Sequence, residues 1–187
     1  MQVFLVIAGI LMASCIIYYK FYRRPYVNNP LVKKQNPYLG LRQQAISIKP
    51  EQLQLTIPNN KETAFGVVVD LGMDSGSATI VSFVSGDASL YTSAGGGIIG
   101  GGVLRKDVSA AAINFVSVAQ NYFSQMSTSY NLNVPADGYI KFYILTNKAI
   151  YSSENKESEI TNPDSVWTEL FYAANDLLTQ LRLGAEN

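Results

Sequence analysis

Six of the fourteen glycines lie between residues 94 and 102, and they form the clearest candidate for a ligand site. The run Gly95-Gly96-Gly97-Ile98-Ile99-Gly100 matches the pattern G-x-G-x-x-G, which lets backbone N–H groups approach a phosphate. Ser93 precedes the run and Lys106 follows it, and both carry side-chain donors. If the segment binds a small anion or a nucleotide, we expect these residues to contact it: Ser93, Gly95, Gly96, Gly97, Gly100 and Lys106.

Two features of the same segment favour a structural role for the glycines. A phosphate site needs the helix to begin inside the motif, but Gly100 to Gly102 delay the predicted helix to about Asp107. An acidic residue at the start of that helix repels a phosphate. In that case the glycines allow the chain to cross a neighbouring segment in close contact, or they form a mobile flap over the sheet. Both interpretations stay open.

Three carboxylates follow predicted strands or lie in predicted turns, at Asp70, Asp74 and Asp87. If they met at one edge of a sheet they could supply the oxygen ligands of a cation. The segment from Val69 to Gly76 also resembles the first phosphate loop of the actin and sugar-kinase superfamily, a resemblance that implies phosphate and metal binding. Met73 departs from that pattern, which has Thr or Ser there. Because solvated turn acids are common, we predict no metal site.

The residues of common catalytic pairs are scarce. The chain contains no histidine and one cysteine, Cys15, which excludes Ser-His and Cys-His pairs, imidazole ligands and thiolate zinc clusters. Ser153 to Lys156 spells S-x-x-K, but the companion motifs of serine acyl-enzymes are missing. We therefore predict a protein without catalytic residues or a cofactor, and not an enzyme.

Charge divides the chain into two parts. Residues 1–50 contain seven Lys and Arg and no acidic residue, so their net charge is +7, and that of the remaining 137 residues is −7. An acidic domain with scattered basic residues disfavours binding to nucleic acid. The basic first part is typical of a segment close to a membrane.

Residues 1–22 predict a transmembrane signal anchor. Val3 to Tyr19 contains no charged residue, and about 18–21 apolar residues reach about 27–31 Å as a helix, the thickness of a bilayer core. Basic residues follow the span and none precedes it, so the N-terminus is expected outside and the C-terminal domain in the cytoplasm, at the inner membrane. These residues form the predicted membrane-surface basic patch: Lys20, Arg23, Arg24, Lys33 and Lys34.

Two alternatives concern the same segment. Met12-Ala13-Ser14-Cys15 looks like a degenerate lipobox, so Cys15 could carry a lipid, or the domain could be exported. Against a lipid anchor, Ile16 to Tyr19 continue the apolar run past Cys15. We expect the retained helix, with the bilayer as one partner.

Residues 23–50 contain four prolines and predict a basic juxtamembrane linker, in which Leu39 to Ile46 could begin a short helix. Residues 51–187 predict one α+β domain with the order β-β-β-α-β-β-α. Short links between strands favour a five-stranded antiparallel sheet with two helices packed on it.

This element order resembles profilin-like and roadblock-type domains in architecture, and no residue motif extends the resemblance. It implies a dimerising or docking module. Together with the anchor, it predicts a single-pass, non-catalytic interaction or scaffold module of a membrane protein assembly, which binds a protein partner or a second copy of itself. A small-anion or nucleotide-binding domain using Gly95 to Gly102 is the alternative function.

Overall fold

The computed structural model describes residues 37–103 and 105–185. The predicted anchor and residues 23–36 of the predicted linker lie outside the described residues. The described part is an α+β fold with one antiparallel sheet, as predicted. Helices cover both faces of this sheet.

The first four strands form a meander, because tight turns separate runs of β-branched residues. They are β1 (Ala64–Met73), β2 (Gly76–Phe83), β3 (Ala88–Thr92) and β4 (Gly97–Ile98). Val68 of β1 lies opposite Val81 of β2 on one side and opposite Tyr143 of a later strand on the other, so β1 has neighbours on both sides. It is the central strand and is buried from Ala64 to Asp70.

The chain then crosses the sheet through a helix before the last three strands. Helix α2 (Lys106–Ala119) is followed by a 3-10 helix, Gln120–Gln125. The remaining strands are β5 (Ser127–Thr128), β6 (Tyr139–Thr146) and β7 (Ile150–Lys156). The order across the sheet is β4-β3-β2-β1-β6-β7-β5. Strand β6 therefore inserts beside β1, and the two shortest strands form the edges.

The sheet has seven strands in the described residues, and the prediction of five was wrong. The two additional strands, β4 and β5, have two residues each, too few to show a period of two. The segment from Ser153, predicted as an exposed loop, continues β7 to Lys156. These four residues are all polar, and they lie beyond Tyr151 and Ser152, the part of β7 that pairs with β5, so one side of this stretch has no neighbouring strand among the described residues.

One face of the sheet packs against α2, the short helix α3 (Glu157–Ile160) and α4 (Thr168–Ala185). Val67, Val69 and Phe142 point to this side and contact the helices in one core. Trp167 stacks on Phe142, with ring centroids 6.2 Å apart. This core fixes α2 and α4 side by side on the sheet.

The opposite face is covered by helix α1 (Pro37–Ser47) and a 3-10 helix, Pro50–Leu53. The buried residues of α1 are Tyr38, Arg42, Ala45 and Ile46, which share one side of a helix. They pack on Phe65 and its neighbours on the sheet. Residues 37–50 were assigned to the linker from their prolines and their lack of an apolar pattern. In the structure Tyr38, Ala45 and Ile46 pack on the sheet, and the apolar pattern is hard to see in the sequence because Arg42 takes one position of the buried side.

Candidate functional site

Arg42 of α1 and Asp70 of β1 form a buried ion pair between α1 and the sheet. Arg42 Nη2 donates a hydrogen bond of 2.5 Å to Asp70 Oδ2, and Arg42 Nε lies 2.9 Å from the same oxygen and 3.0 Å from Oδ1. A guanidinium that reaches both carboxylate oxygens is a charge-assisted contact with fixed geometry. The pair therefore fixes where α1 lies on β1.

The remaining donors of Arg42 are also used. Its Nη1 donates to the backbone carbonyl oxygen of Leu132 at 2.7 Å, and its Nη2 donates to the hydroxyl of Tyr143 at 2.9 Å. The Tyr143 hydroxyl donates in turn to the carbonyl oxygen of Asn133 at 3.1 Å. Through these bonds Arg42 also holds the segment that precedes β6.

Asp70 is satisfied from the other side by β2. The hydroxyl of Thr79 donates to Asp70 Oδ1 at 2.6 Å, and Tyr38 Oη lies 2.9 Å from the same Thr79 oxygen. Because Thr79 gives its proton to Asp70, Tyr38 is the donor to Thr79. We call the five residues Tyr38, Arg42, Asp70, Thr79 and Tyr143 the α1 latch.

Two residues of the latch, Asp70 and Thr79, are part of a row of polar side chains that crosses five strands. Tyr91, Thr79, Asp70, Lys141 and Glu154 lie opposite one another on β3, β2, β1, β6 and β7. Lys141 is buried and its Nζ lies 3.0 Å from Glu154 Oε2. Opposite charges in register stabilise neighbouring strands. Each buried charge of this row has an opposite partner: Arg42 of α1 for Asp70, and Glu154 for Lys141.

Two cations lie against the ring of Tyr143. The guanidinium carbon of Arg42 is 5.6 Å from the ring centroid, and Lys141 Nζ is 5.5 Å from it. Burial raises the pKa of the Tyr143 hydroxyl, and the charge of Asp70 raises it further. Burial lowers the pKa of Arg42, but the hydrogen bonds and charge of Asp70 outweigh it and raise that pKa overall. At neutral pH the tyrosine is thus a neutral hydroxyl beside a charged guanidinium.

This arrangement is suited to holding α1 in place. Within the described ranges, no buried side-chain nitrogen or oxygen lacks a hydrogen-bond partner. The carboxylate of Asp70 accepts from two side chains and lies out of contact with solvent. The sequence contains one signal for the latch. Asp70 is the only charged residue in the apolar strand from Ala64 to Leu71, and a charge in a buried strand requires a partner.

The three acidic residues considered for a cation site do not meet. Asp70 lies within β1, Asp74 lies in the turn before β2, and Asp87 lies after the end of β2. The two turns are therefore at opposite ends of β2, and the condition for a shared cation site at one edge of the sheet is not met. Among the described residues, no group of three His, Cys, Asp or Glu could hold a metal ion.

The structure places Ser93, Gly95, Gly96 and Gly97 of the predicted ligand site at the end of β3. The amide of Gly95 donates to the carbonyl oxygen of Thr92 at 3.1 Å. The hydroxyl oxygen of Ser93 accepts a hydrogen bond of 2.7 Å from the amide of Ser77. Gly95 and Gly96 both have positive φ, which explains why glycine is needed in this turn.

The other two predicted site residues, Gly100 and Lys106, come after β4, which runs antiparallel to β3. The amide of Gly100 lies 3.2 Å from the hydroxyl oxygen of Ser89, and Gly101 donates to the carbonyl oxygen of Ala88 at 2.8 Å. Ala88 is the first residue of β3, so these contacts lie about 13 Å from its last residue. The six residues are therefore divided between the two ends of one strand. Anion binding by this segment stays a prediction.

An open groove of about 580 Å³ lies where α1 ends, beside the turn between β6 and β7. Ile46, Phe65 and Leu145 form its floor, and Lys49, Glu51 and Lys148 lie along it. Charges of both signs at the rim do not select one class of ligand. The side-chain amide of Asn147, another lining residue, donates to the carbonyl oxygen of Lys61 at 3.1 Å.

The helix layer, α2 and α4, exposes large apolar side chains on its outer surface. Ile113 of α2 and Tyr172 of α4 are exposed, as is Val166 just before α4. Tyr172 leaves 63% of its surface accessible. Val116, three residues after Ile113 on α2, is buried instead. The outward residues remain available for contacts.

The predicted basic patch, Lys20 to Lys34, lies outside the described residues. Within the described ranges, no helix combines the length and apolar character needed to cross a bilayer. Comparisons with protein-family models, curated proteins and solved structures found no match for this chain.

Proposed function

We propose that the chain is a single-pass, membrane-anchored interaction module without catalytic activity, and that it serves as a subunit or accessory of a membrane protein assembly. The exposed apolar side chains of the helix layer are the observation that carries this proposal. Tyr172 and Ile113 lie outside the core that the same helices form with the sheet. Tyrosine is among the residues enriched at the centres of protein interfaces, and Tyr172 is the largest side chain exposed on this layer.

The α1 latch limits how far the domain can lie from the predicted anchor. Helix α1 begins only fourteen residues after the predicted anchor ends at residue 22. Even fully extended, fourteen residues reach at most about 50 Å. Because the latch makes α1 part of the domain, the domain cannot move farther than this from the predicted span. A partner in the same membrane would therefore meet it at high effective concentration.

Site-specific photo-crosslinking tests the proposal in the membranes in which the full chain is expressed. A photoreactive amino acid at Tyr172 or Ile113 is expected to give one discrete protein adduct. The same amino acid at Asn60, an exposed polar position, serves as the control. An adduct of twice the chain mass identifies a second copy, and a larger or smaller adduct identifies another protein. Equal labelling at all three positions, or none, contradicts the proposal.

A further inference from the structure

Strand β7 has a stretch that pairs with a neighbour on one side only. On one side β7 pairs with β6 along its whole length, from Ile150 to Lys156. On the other side β5 pairs with Tyr151 and Ser152. Beyond them, no strand among the described residues pairs with this side of the stretch from Ser153 to Lys156. We call this stretch the open edge of β7.

The backbone of the open edge presents hydrogen-bonding groups on its unpaired side. The amide of Ser129 donates to the carbonyl oxygen of Ile150 at 2.9 Å, on the side of β5. Because successive residues of a strand direct their backbone groups to opposite neighbours, the even-numbered residues of β7 all point to this side. Ser152 pairs there with β5. The backbone groups of Glu154 and Lys156 therefore point away from β6, and both residues are exposed.

These two outward residues carry opposite charges on one face of the sheet. Glu154 and Lys156 are two positions apart on the strand, so their side chains lie on the same face. Lys141 Nζ lies 3.0 Å from Glu154 Oε2, but 40% of the Glu154 side chain is exposed, so it can contact a second cation. Within the described ranges, no ion pair involves Lys156. The open edge thus presents one acid and one base, each with room for a partner.

We propose that the open edge of β7 pairs antiparallel with the same edge of a second copy of this chain. A two-fold axis at Asn155 places Glu154 opposite Lys156 of the second copy, and Lys156 opposite Glu154 of the second copy. Both pairs are hydrogen-bonded, because the backbone groups of all four residues point into the contact. Both pairs also join opposite charges on neighbouring strands, which stabilises the pairing. The row of polar side chains that crosses the sheet then continues into the second copy.

Charge and backbone direction select this register over its neighbours. An axis at Glu154 would place two carboxylates opposite each other, and an axis at Lys156 would place two ammonium groups together, and like charges destabilise neighbouring strands. An axis between two residues would set an outward-pointing residue against an inward-pointing one and lose the hydrogen bonds. Registers shifted farther meet β5 at Ser152 or α3, which begins at Glu157. The edge is therefore complementary to itself in one arrangement.

This inference goes beyond the proposed function, because the open edge belongs to the sheet and not to the helix layer. It involves neither Tyr172 nor Ile113. Photo-crosslinking from those two positions and the experiments on β7 therefore succeed or fail separately.

Disulfide crosslinking of the full chain, in the membranes in which it is expressed, tests the register. In a Cys15→Ser background, Asn155→Cys places both thiols at the axis, where the Cα atoms of a pair without hydrogen bonds are about 4.5 Å apart, within disulfide range. Ser153→Cys is the matched control, because it lies on the same face and removes the same hydrogen bond, from the Asn155 amide to Ser153 Oγ. In this register its Cα atom lies about 14 Å from that of its copy. We expect roughly tenfold more disulfide-linked dimer with Asn155→Cys. Equal linkage at both positions, or none at position 155, overturns the proposal.

Charge reversal in the Asn155→Cys chain tests the pairing chemistry. Lys156→Glu places carboxylates in both symmetric pairs, and Glu154→Lys places ammonium groups in both, so either change alone should reduce the linked dimer roughly tenfold. When the two variants are expressed together with tags of different length, every acid again faces a base. The mixed dimer should then exceed either dimer of identical chains. A mixed dimer no more abundant than the others overturns the proposal.

Folding of the variants is checked separately. Glu154→Lys also removes the partner of the buried Lys141, so Trp167 fluorescence during unfolding verifies that this variant is folded. If it is not, Lys156→Gln replaces it in the comparison, because this change removes the attraction without adding a like charge. Its linkage should lie between that of the unchanged Lys156 and that of Lys156→Glu. Equal linkage for all three overturns the proposal.

Discussion

Arg42 Nη2 lies 2.5 Å from Asp70 Oδ2, and this contact joins a helix to the central strand of the sheet across 28 residues of sequence. Both side chains are removed from solvent. A buried ion pair adds little net stability, because its attraction is offset by the desolvation of two charges. Its effect is specific: without the guanidinium, Asp70 would be an unpaired charge under α1. The pair therefore determines which segment can cover this face.

Removing one partner of the pair is expected to be costly. Arg42→Met keeps an unbranched side chain but leaves Asp70 uncompensated, and we expect a loss of about 3–5 kcal/mol in the free energy of unfolding. The double variant Arg42→Met with Asp70→Leu removes both charges and should recover much of that loss. Denaturant unfolding of the full chain in detergent micelles, followed by the fluorescence of Trp167, measures both values.

Asp107→Asn is the matched control. It breaks the pair between Arg105 and Asp107, whose atoms are 3.4 Å apart and partly exposed. Exposed pairs contribute less than about 1 kcal/mol, so we expect a correspondingly small loss. Equal losses for Arg42→Met and Asp107→Asn would contradict the assignment of the latch.

Alkaline pH is expected to loosen the same region through Tyr143. Burial raises the pKa of its hydroxyl in the folded chain, and the charge of Asp70 raises it further. A raised folded pKa stabilises the protein fully below the unfolded value of about 10, and that contribution is lost as pH rises through the folded value. The free energy of unfolding should therefore fall above about pH 10.

Tyr143→Phe identifies this contribution. The variant loses the hydrogen bonds to Arg42 and to the carbonyl oxygen of Asn133, so it should be less stable than the wild type near neutral pH. It should also lose less of its remaining stability above about pH 10, because the buried phenol of Tyr143 is gone and only other buried phenols such as Tyr122, whose pKa burial also raises, still titrate. Tyr130→Phe, at an exposed position, should follow the wild-type profile. Parallel profiles for all three proteins would show that Tyr143 does not cause the fall.

The sequence predicted the α+β class and the antiparallel sheet, because β1, β2 and β6 are long enough to show their apolar patterns. It did not predict β4 or β5, since two-residue strands form only where a neighbouring edge offers hydrogen bonds. It also did not place α1 on the sheet. The buried side of α1 includes Arg42, so a search for apolar periodicity undervalues this helix. Whether such elements form, and where they pack, depends on tertiary contacts that local sequence patterns do not show.

The candidate site shows the same limit. Asp70 was considered as a metal ligand because acidic residues in turns are common ligands, but its partner is an arginine that lies 28 residues earlier. The glycine motif was recognised from local spacing, whereas the folding of β4 along β3 divides its residues between two strand ends. The local spacing of these glycines does not show that the chain reverses into β4 and separates them.

The glycines themselves provide a further prediction. Gly102→Ala places a Cβ atom against the backbone carbonyl of Gly86, where neither atom can move freely. We expect it to cost more than about 2 kcal/mol in the free energy of unfolding. Gly40→Ala lies on the exposed side of α1 with no atom within 4 Å, so it should stabilise the chain by about 0.5–1 kcal/mol. Thermal unfolding distinguishes the two. If Gly102→Ala leaves the free energy of unfolding unchanged, this loop is packed less tightly than the contacts indicate.

Membrane topology provides the last prediction. Five basic residues follow the predicted anchor closely, so a reporter fused after Asn187 should be active in the cytoplasm and inactive where an oxidising compartment is required. Replacing Arg23, Arg24, Lys33 and Lys34 by Ala, with two lysines added after Met1, reverses the charge difference and should invert the reporter pattern. Cys15→Ser should leave the chain in the membrane fraction. Release of this variant would instead show that a lipid on Cys15 holds the chain, and the fusion would then report an exported domain.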